Sequence, residues 1–354
     1  MSSNDKEILD QLQIALRNLP EVEWIQAGDD PLEADHELRL LVRGEPVQLI
    51  VEFKKSVFPR DIQQLLWVWK NHGSPSANDP LQTVRVVAAE SISTGARELL
   101  KHEHTGYFAG GGSLYLPTPS ALFYIDKPAS KAAAKTEVTL YGGRSGELVL
   151  YLLNRGDSWF NVKELAAEVG VAASTASSLM STLDRMALLE TQGRGPSKRR
   201  RLAEPSALLE GWAATLRIAP KAAIRRYWVP NVKGQLAPAL HAAFKAEQVN
   251  YRFTGEIAAQ AYSPYLTHSG TAHCRVEADA LNLAQVLRNL GAKPVTEGAN
   301  LLITESRSPL EAGYLIESHE GLYASPVQVY LDLLQGKGRS QELAEHLRKE
   351  RICF

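Results

Sequence analysis

The sequence is poor in the residues that build covalent or metal-bound frameworks. Its 354 residues include only two cysteines, Cys274 and Cys353, and neither stands in a CxxC or Cys/His spacing that could hold zinc. We therefore expect two reduced thiols, as is typical of a cytoplasmic protein. No run of about eighteen apolar residues is present, and the first residues lack the apolar core of a signal peptide. Neither membrane insertion nor secretion is expected.

Net charge is also nearly absent. Thirty-nine Lys and Arg residues oppose 40 Asp and Glu residues, which leaves a formal charge of −1. A polycation that coats nucleic acid is thereby excluded, and any basic cluster is a local feature. At a soft average of about 150 residues per domain, the length predicts two or three domains.

The most informative stretch is 146–202. Apolar residues recur at helical spacing from Leu148 to Leu152, and Asn161 with Glu164 has the spacing of a capping box that opens a second helix. That helix is predicted to stop at Gly170, because glycine readily takes the left-handed conformation past a helix end. A short turn then leads into a third helix, as in a helix-turn-helix.

The third helix has two different faces. Ala176, Leu179, Leu183 and Met186 are predicted to point inward. The other face carries small hydroxylated residues, and those predicted to contact DNA are Ser174, Thr175, Ser177, Ser178 and Ser181. Such a face is typical of a helix that enters the major groove. Ala172 and Ala173 stand where a capping Ser or Thr is usual, which favours backbone docking over base readout.

A basic hairpin is predicted to follow the third helix. Leu188 and Leu189 begin a strand, residues 193–196 make a tight turn, and a second strand leads into Leu202. Five cations that could contact phosphates lie in this hairpin: Arg194, Lys198, Arg199, Arg200 and Arg201. The pattern predicts a winged helix-turn-helix at 138–219 that binds double-stranded DNA. The alternative is a small packed module for protein contacts.

Residues 1–126 alternate helix-like and strand-like segments, with helices predicted at 7–19 and 60–70 and strands at 37–42, 47–53 and 83–88. Glu52 and Lys54 lie two residues apart on one strand face. Asp35, with Glu37 as a second candidate, could supply an upstream acid, and Gln63 or Gln64 could brace the site. A carboxylate beside an ammonium can hold Mg²⁺ and orient water toward a phosphodiester.

This first region resembles the restriction-endonuclease-like superfamily, whose motif is an acid followed by Glu-x-Lys on adjacent strands. The resemblance implies an α/β domain over 1–126, with Asp35, Glu52, Lys54 and Gln64 as catalytic candidates and Asp35 and Glu52 as Mg²⁺ ligands. The plainer interpretation is an exposed Glu/Lys pair on a solvated face, because Glu-x-Lys on a strand is common by chance. A vestigial nuclease site is a further alternative. A polar segment at 127–137 is predicted to be a linker.

Residues 220–354 are predicted to form a third, α/β domain without a recognisable catalytic set. The histidines are scattered without the spacing of metal ligands: His241, His268, His273 and His319. Asp332 on a predicted helix has no Gly-Ser motif upstream, so the sequence does not support a nucleotidyltransferase site. Two sequence segments, called phrases below, are distinctive: Tyr-Arg-Phe-Thr-Gly-Glu from residue 251 and Ser-Pro-Val-Gln-Val-Tyr-Leu-Asp from residue 325. They predict a strand-to-helix turn and a helix opened by proline.

Together with Arg-Leu-Ala-Glu-Pro-Ser from 201, these phrases resemble the AbiEi-like antitoxins of type IV toxin-antitoxin systems, which act as transcriptional regulators. The resemblance implies a winged helix that binds the operator of its own operon and a following domain that counters a nucleotidyltransferase toxin. The expected partners are DNA, a cognate toxin and a second copy of the chain. No cofactor is required, and Mg²⁺ is expected only if the nuclease-like site is active. The rival functions are a metal-dependent DNA nuclease and a protein-interaction scaffold.

Overall fold

The computed structural model describes residues 3–27, 36–71, 82–127, 140–218, 223–230, 236–265, 270–277, 280–306, 316–318, 321–336 and 338–354. The chain is mixed α/β, as predicted, and divides into two compact units. The first unit is Met1–Glu137 with Ser177–Glu190, and the second is Val138–Ala176 with Thr191–Phe354. Most of the predicted linker lies outside the described residues, and the predicted domain boundaries stay a prediction.

The described residues of the first unit form three complete helices, a seven-stranded sheet and the C-terminal part of a fourth helix, which begins in the second unit. Its elements in chain order are α1 (Ser3–Arg17), β1 (Val22–Ala27), β2 (His36–Val42), β3 (Glu45–Val57), α2 (Pro59–Asn71), β4 (Gln82–Ile92), α3 (Thr94–His102), β5 (Gly106–Ala109), β6 (Ser113–Pro117) and β7 (Leu122–Ile125). The predicted helices at 7–19 and 60–70 and the three predicted strands are confirmed, with ends shifted by a few residues.

The strands of this sheet lie side by side in chain order, from β1 to β7. The outer strands pair antiparallel, whereas β3, β4 and β5 are parallel. Each parallel step needs a crossover, and α2 and α3 supply the two crossovers. Gly110 to Gly112 make the turn between β5 and β6.

Apolar residues alternate along the central strands, so each sheet face buries its own core. The α1 face collects Leu12, Leu16, Leu40, Leu49 and Val51. The opposite face packs the α2 and α3 side chains Ile62, Leu65 and Leu100 against Val87 and Tyr107. The sheet is therefore covered by helices on both faces, and the end of β3 runs directly into α2.

The second unit contains the remaining helices and strands, apart from α6 and β8, which cross the boundary between the units. In chain order the elements are α4 (Gly143–Arg155), α5 (Val162–Val169), α6 (Ala173–Arg185), β8 (Leu189–Gln192), β9 (Arg199–Leu202), α7 (Pro205–Ile218), β10 (Ile224–Trp228), α8 (Leu236–Ala246), β11 (Tyr251–Thr254), α9 (Gly255–Tyr262), β12 (Ala272–Glu277), α10 (Ala280–Asn289), β13 (Lys293–Pro294), β14 (Leu301–Ser306), β15 (Ile316–Ser318), β16 (Gly321–Tyr323), α11 (Pro326–Leu334) and α12 (Ser340–Leu347).

Strands β10 to β16 form a second seven-stranded sheet in the order β13-β10-β14-β12-β11-β16-β15. Strand β12 is parallel to β14, and β11 is parallel to β16. A separate two-stranded sheet joins β8 and β9. The strand-to-helix turn predicted from residue 251 is confirmed as β11 and α9, and the helix predicted to open with a proline after Ser325 is confirmed as α11. None of the described helices combines the length and the apolar character needed to cross a lipid bilayer.

Candidate nucleic-acid interface

Helix α5 begins and ends with the local signals predicted for it. The Glu164 backbone N–H donates to Asn161 Oδ1 at 2.9 Å, and the Asn161 backbone N–H donates to Glu164 Oε2 at 3.0 Å. This reciprocal pair is a capping box. Gly170 ends the helix in the left-handed conformation, with φ 70° and ψ 37°. The chain then turns within three residues into α6.

Helix α6 exposes the hydroxylated face predicted from the sequence. Ser174, Ser177, Ser178 and Ser181 are exposed, and Thr175 is half-buried. The predicted inward residues Ala176, Leu179 and Leu183 are buried, whereas Met186 is only half-buried. Met180 is buried as well, which the sequence interpretation did not include. The face that carries the serines is therefore accessible to a ligand.

The hairpin after α6 has the predicted strands and turn. Gly193 has a φ of +79°, and a Cβ at this position would lie 2.8 Å from the Ser197 carbonyl oxygen. Glycine is therefore required by both the conformation and the close approach. A short 3₁₀ turn over Gly195–Ser197 leads into β9.

The five basic residues of the hairpin differ in their surroundings. Arg194 is exposed and Lys198 is half-buried, and neither side chain has an ion-pair partner within the described part of the chain. Arg199 is exposed, donates to the Trp159 carbonyl oxygen at 3.0 Å, and lies 3.6 Å from the Glu164 carboxylate. Arg194 and Lys198 are thus the cations most available to a phosphate.

The last two basic residues contact the segment between α4 and α5. Arg200 is half-buried and pairs through its backbone with Phe160, and its Nε is buried with no hydrogen-bond partner among the described residues. Arg201 donates from Nη1 to both oxygens of Asp157, at 3.0 and 3.1 Å, with its guanidinium 5.2 Å from the Trp159 ring centroid. The Asp157 side chain is 75% exposed, so Arg201 can exchange this partner for another anion at little cost.

The nuclease-like candidates are only partly assembled in the described residues. Glu52 and Lys54 lie on the same face of β3, with the ammonium 2.8 Å from Glu52 Oε1. The carboxylate of Glu37 on β2 accepts from Arg39 at 3.0 Å instead. Asp35 lies outside the described residues. Mg²⁺ is usually held by one or two carboxylates together with water and substrate, so Glu52 would supply the carboxylate of β3 if the ion bound here.

The bracing residues of that site lie on α2. Gln63 and Gln64 are both exposed, so either amide is accessible to solvent. No group of three or more His, Cys, Asp or Glu side chains that could hold a metal ion occurs in the described ranges.

A buried polar cluster in the second unit was missed by the sequence interpretation. Asp332 on α11 accepts from Arg275 Nε at 2.7 Å and from Arg275 Nη2 at 2.5 Å. Thr254 and Gln328 donate to the same carboxylate at 2.5 and 3.0 Å. Burial alone would raise the pKa of Asp332, but the charge of Arg275 and the hydrogen bonds from Arg275 and Thr254 outweigh it and lower the pKa. With its oxygens fully engaged, Asp332 fastens α11 to β11 and β12.

His273 stands beside this cluster on β12. Its Nε2 is 2.8 Å from Thr304 Oγ1, and Gly255 leaves room for the ring, since a Cβ there would lie 3.3 Å from Nδ1. Burial lowers the pKa of His273 against the opposing influence of Asp332, so the imidazole is neutral near neutral pH. The only sign of the cluster in the sequence was the pair of phrases around residues 251 and 325.

Comparison of the chain with protein-family models, with curated proteins and with solved structures finds no match.

Proposed function

We propose that this protein is a sequence-specific DNA-binding transcriptional regulator. The observation that carries the proposal is the succession of the capped helix α5, the left-handed turn at Gly170, the serine face of α6 and the basic hairpin β8–β9. In a winged helix-turn-helix, the second helix of the motif enters the major groove while cations contact phosphates. In this proposal α6 reads the groove and the hairpin is the wing.

The wing would supply most of the affinity that does not depend on sequence. Arg194 and Lys198 can bind phosphates directly. Arg199 and Arg201 would first leave Glu164 and Asp157, two exposed carboxylates whose ion pairs are each worth roughly 0–1 kcal/mol. Phosphate contacts release condensed counterions from DNA, and at low salt the free energy of this release offsets the loss of the two ion pairs. The serines of α6 would then add contacts to base edges.

The regulator would be of the antitoxin type. The phrases that begin at residues 201, 251 and 325 resemble the AbiEi-like family, so we propose that the protein represses its own operon and counters a nucleotidyltransferase toxin. Two copies would bind paired half-sites, as helix-turn-helix proteins commonly do.

Binding to a labelled duplex from the DNA upstream of the coding sequence tests the proposal. Anisotropy titrations over a salt series should show a steep loss of affinity with salt. Lys198→Ala should weaken binding to every duplex and lower the logarithmic salt slope by about one. Lys245→Ala, at an exposed lysine of α8, is the matched control and should leave both values unchanged. Equal behaviour of the two variants would show that the hairpin is not the phosphate-binding surface.

A DNA nuclease is the second candidate, because the Glu52 carboxylate and the Lys54 ammonium lie side by side on β3. Plasmid DNA incubated with the protein and Mg²⁺ or Mn²⁺ separates the two functions. Cleavage that disappears in Lys54→Ala would establish the nuclease. Intact plasmid at protein concentrations that saturate binding would favour the regulator.

A further inference from the structure

The last turn of α6 is fastened to the corner between β3 and α2, and all of these residues belong to the first unit. Arg185 Nη2 donates to the Ser56 carbonyl oxygen at 3.0 Å, to Ser56 Oγ at 3.2 Å and to Asp61 Oδ2 at 2.9 Å. Its guanidinium carbon lies 4.3 Å from the centroid of the Phe58 ring. One arginine therefore contacts the end of a strand, the start of a helix and the aromatic residue between them.

A second ion pair crosses the first. Arg60 contacts the carboxylate of Asp184 and donates to its carbonyl oxygen at 3.4 Å. Adjacent residues of α2 and adjacent residues of α6 thus exchange opposite charges, Arg60 with Asp184 and Asp61 with Arg185. We call these four side chains the interlock. Two crossed pairs resist rotation of a helix about its axis, whereas a single pair can act as a pivot.

The interlock lies on the same side of α6 as the serines but leaves them accessible. Arg185 follows Ser181 by four residues and Ser178 by seven, and both spacings place side chains on one helix face. Ser178 and Ser181 are nevertheless exposed. The contact is confined to the last turn, so it supports the reading face without covering it.

We propose that Arg185 and Asp61 are positioning residues that fix the rotation of α6 for base readout. The inference rests on the proposed DNA-binding function and gives the first unit a role in it: the β3–α2 corner is the platform on which the reading helix is set. Phosphate contacts tolerate small rotations of the helix, whereas contacts to base edges do not. Loss of the interlock should therefore lower the preference for one sequence more than the affinity for DNA in general.

The direction in which a substitution of Asp61 changes duplex affinity distinguishes a positioning role of the interlock from a purely electrostatic role of Arg185. Asp61 carries a negative charge, so its removal should strengthen binding to any duplex if Arg185 acts only as a cation for phosphates. Positioning predicts the reverse for the preferred duplex. Asp61→Asn suits this test because Oδ2 of Asp61 also accepts from the Phe58 backbone N–H at 2.9 Å, and an asparagine oxygen can keep that bond.

The experiment compares a short duplex selected by the wild-type protein from a randomised pool with a scrambled duplex of equal length. We expect Arg185→Leu and Asp61→Asn each to lower the selected-to-scrambled affinity ratio by about tenfold, and the double variant to lose little more than either single variant. Arg43→Leu is the matched control, because it breaks the Arg43–Glu21 pair, in which both side chains are more than half exposed, and should leave the ratio unchanged. Hydrogen exchange of the free protein should show loss of protection at the end of α6 in both interlock variants, with the first sheet still protected.

Two results would overturn the inference. An Asp61→Asn variant that binds both duplexes more tightly, or an unchanged ratio despite faster exchange in α6, means that the interlock does not position the reading face. A wild-type protein that selects no sequence from the pool would instead overturn the proposed function, and the inference with it.

Discussion

Two arginine–aspartate pairs in the second unit have the same chemistry and opposite surroundings. Arg275 and Asp332 form two hydrogen bonds with the carboxylate side chain only 6% exposed, whereas Arg201 and Asp157 form two with the carboxylate 75% exposed. The buried pair connects α11 to β12. The exposed pair can be exchanged for a phosphate. Burial, more than residue type, decides which arginine is structural and which is available for binding.

The largest expected effect is at the buried pair. Asp332→Ala removes the buried carboxylate that accepts from Arg275, Thr254 and Gln328, so we expect a loss of about 3–5 kcal/mol in unfolding free energy. Denaturant titration followed by circular dichroism measures it. The control is Asp157→Ala, for which a loss above about 1 kcal/mol would contradict the contrast between the two pairs.

A pH dependence should accompany the buried cluster. Because burial lowers the pKa of His273 in the folded state, the unfolded chain takes up a proton first as the pH falls. The contribution of His273 to the free energy of unfolding is fully present above the ordinary histidine pKa of about 6.5. It declines as the pH falls from there toward the pKa of His273 in the folded protein. His273→Gln should flatten this decline in thermal melts. The loss that follows protonation of Asp332 belongs to a lower window, beginning near the ordinary aspartate pKa of about 3.9 and continuing below it, because the folded pKa is lowered. An equal slope in wild type and variant above pH 5 would assign the decline to other groups.

A smaller effect, of opposite sign, is expected at the exposed pair. Asp157→Asn removes a negative charge beside Arg201 and weakens the contact between the two side chains, so affinity for any duplex should rise by about two- to fivefold with little change in stability. Anisotropy at low salt measures it. Weaker binding in Asp157→Asn would mean that Asp157 holds Arg201 in its binding position.

The smallest expected change is at Glu164, whose carboxylate is 3.6 Å from Arg199. Glu164→Gln keeps an oxygen for the capping box with Asn161, so α5 should remain intact. We expect a gain in duplex affinity of no more than about twofold, because the contact is long and exposed. A change as large as that of Asp157→Asn would show that the distance between the charged groups does not determine how strongly each ion pair affects duplex affinity.

Features set by neighbouring residues could be predicted from the sequence. The capping box at Asn161, the helix end at Gly170 and the two hairpin strands all follow from spacing within a few residues, and all are confirmed. Of the four positions predicted to point inward from the third helix, Ala176, Leu179 and Leu183 are buried and Met186 is only half-buried. The short strands β5 to β7 were not predicted, because four or five residues carry too little alternation to stand out.

Contacts between distant residues could not be predicted. Asp332 and Arg275 are 57 positions apart, and nothing in either local pattern indicates that they meet. The same holds for the partners of the wing arginines. The sequence predicted five equivalent cations, whereas Arg199 and Arg201 lie beside carboxylates and Arg194 and Lys198 have no ion-pair partner among the described residues. The DNA contacts of all five stay a prediction.

The interlock also has a consequence for the order in which the chain is made. Asp61 precedes Arg185 by 124 positions, so their contact joins two segments that leave the ribosome at different times. Because domains generally fold from the N-terminus during synthesis, the β3–α2 corner can be complete before α6 emerges. The reading helix would then form against a surface that is already in place, and this contact between distant segments is expected to form late in folding.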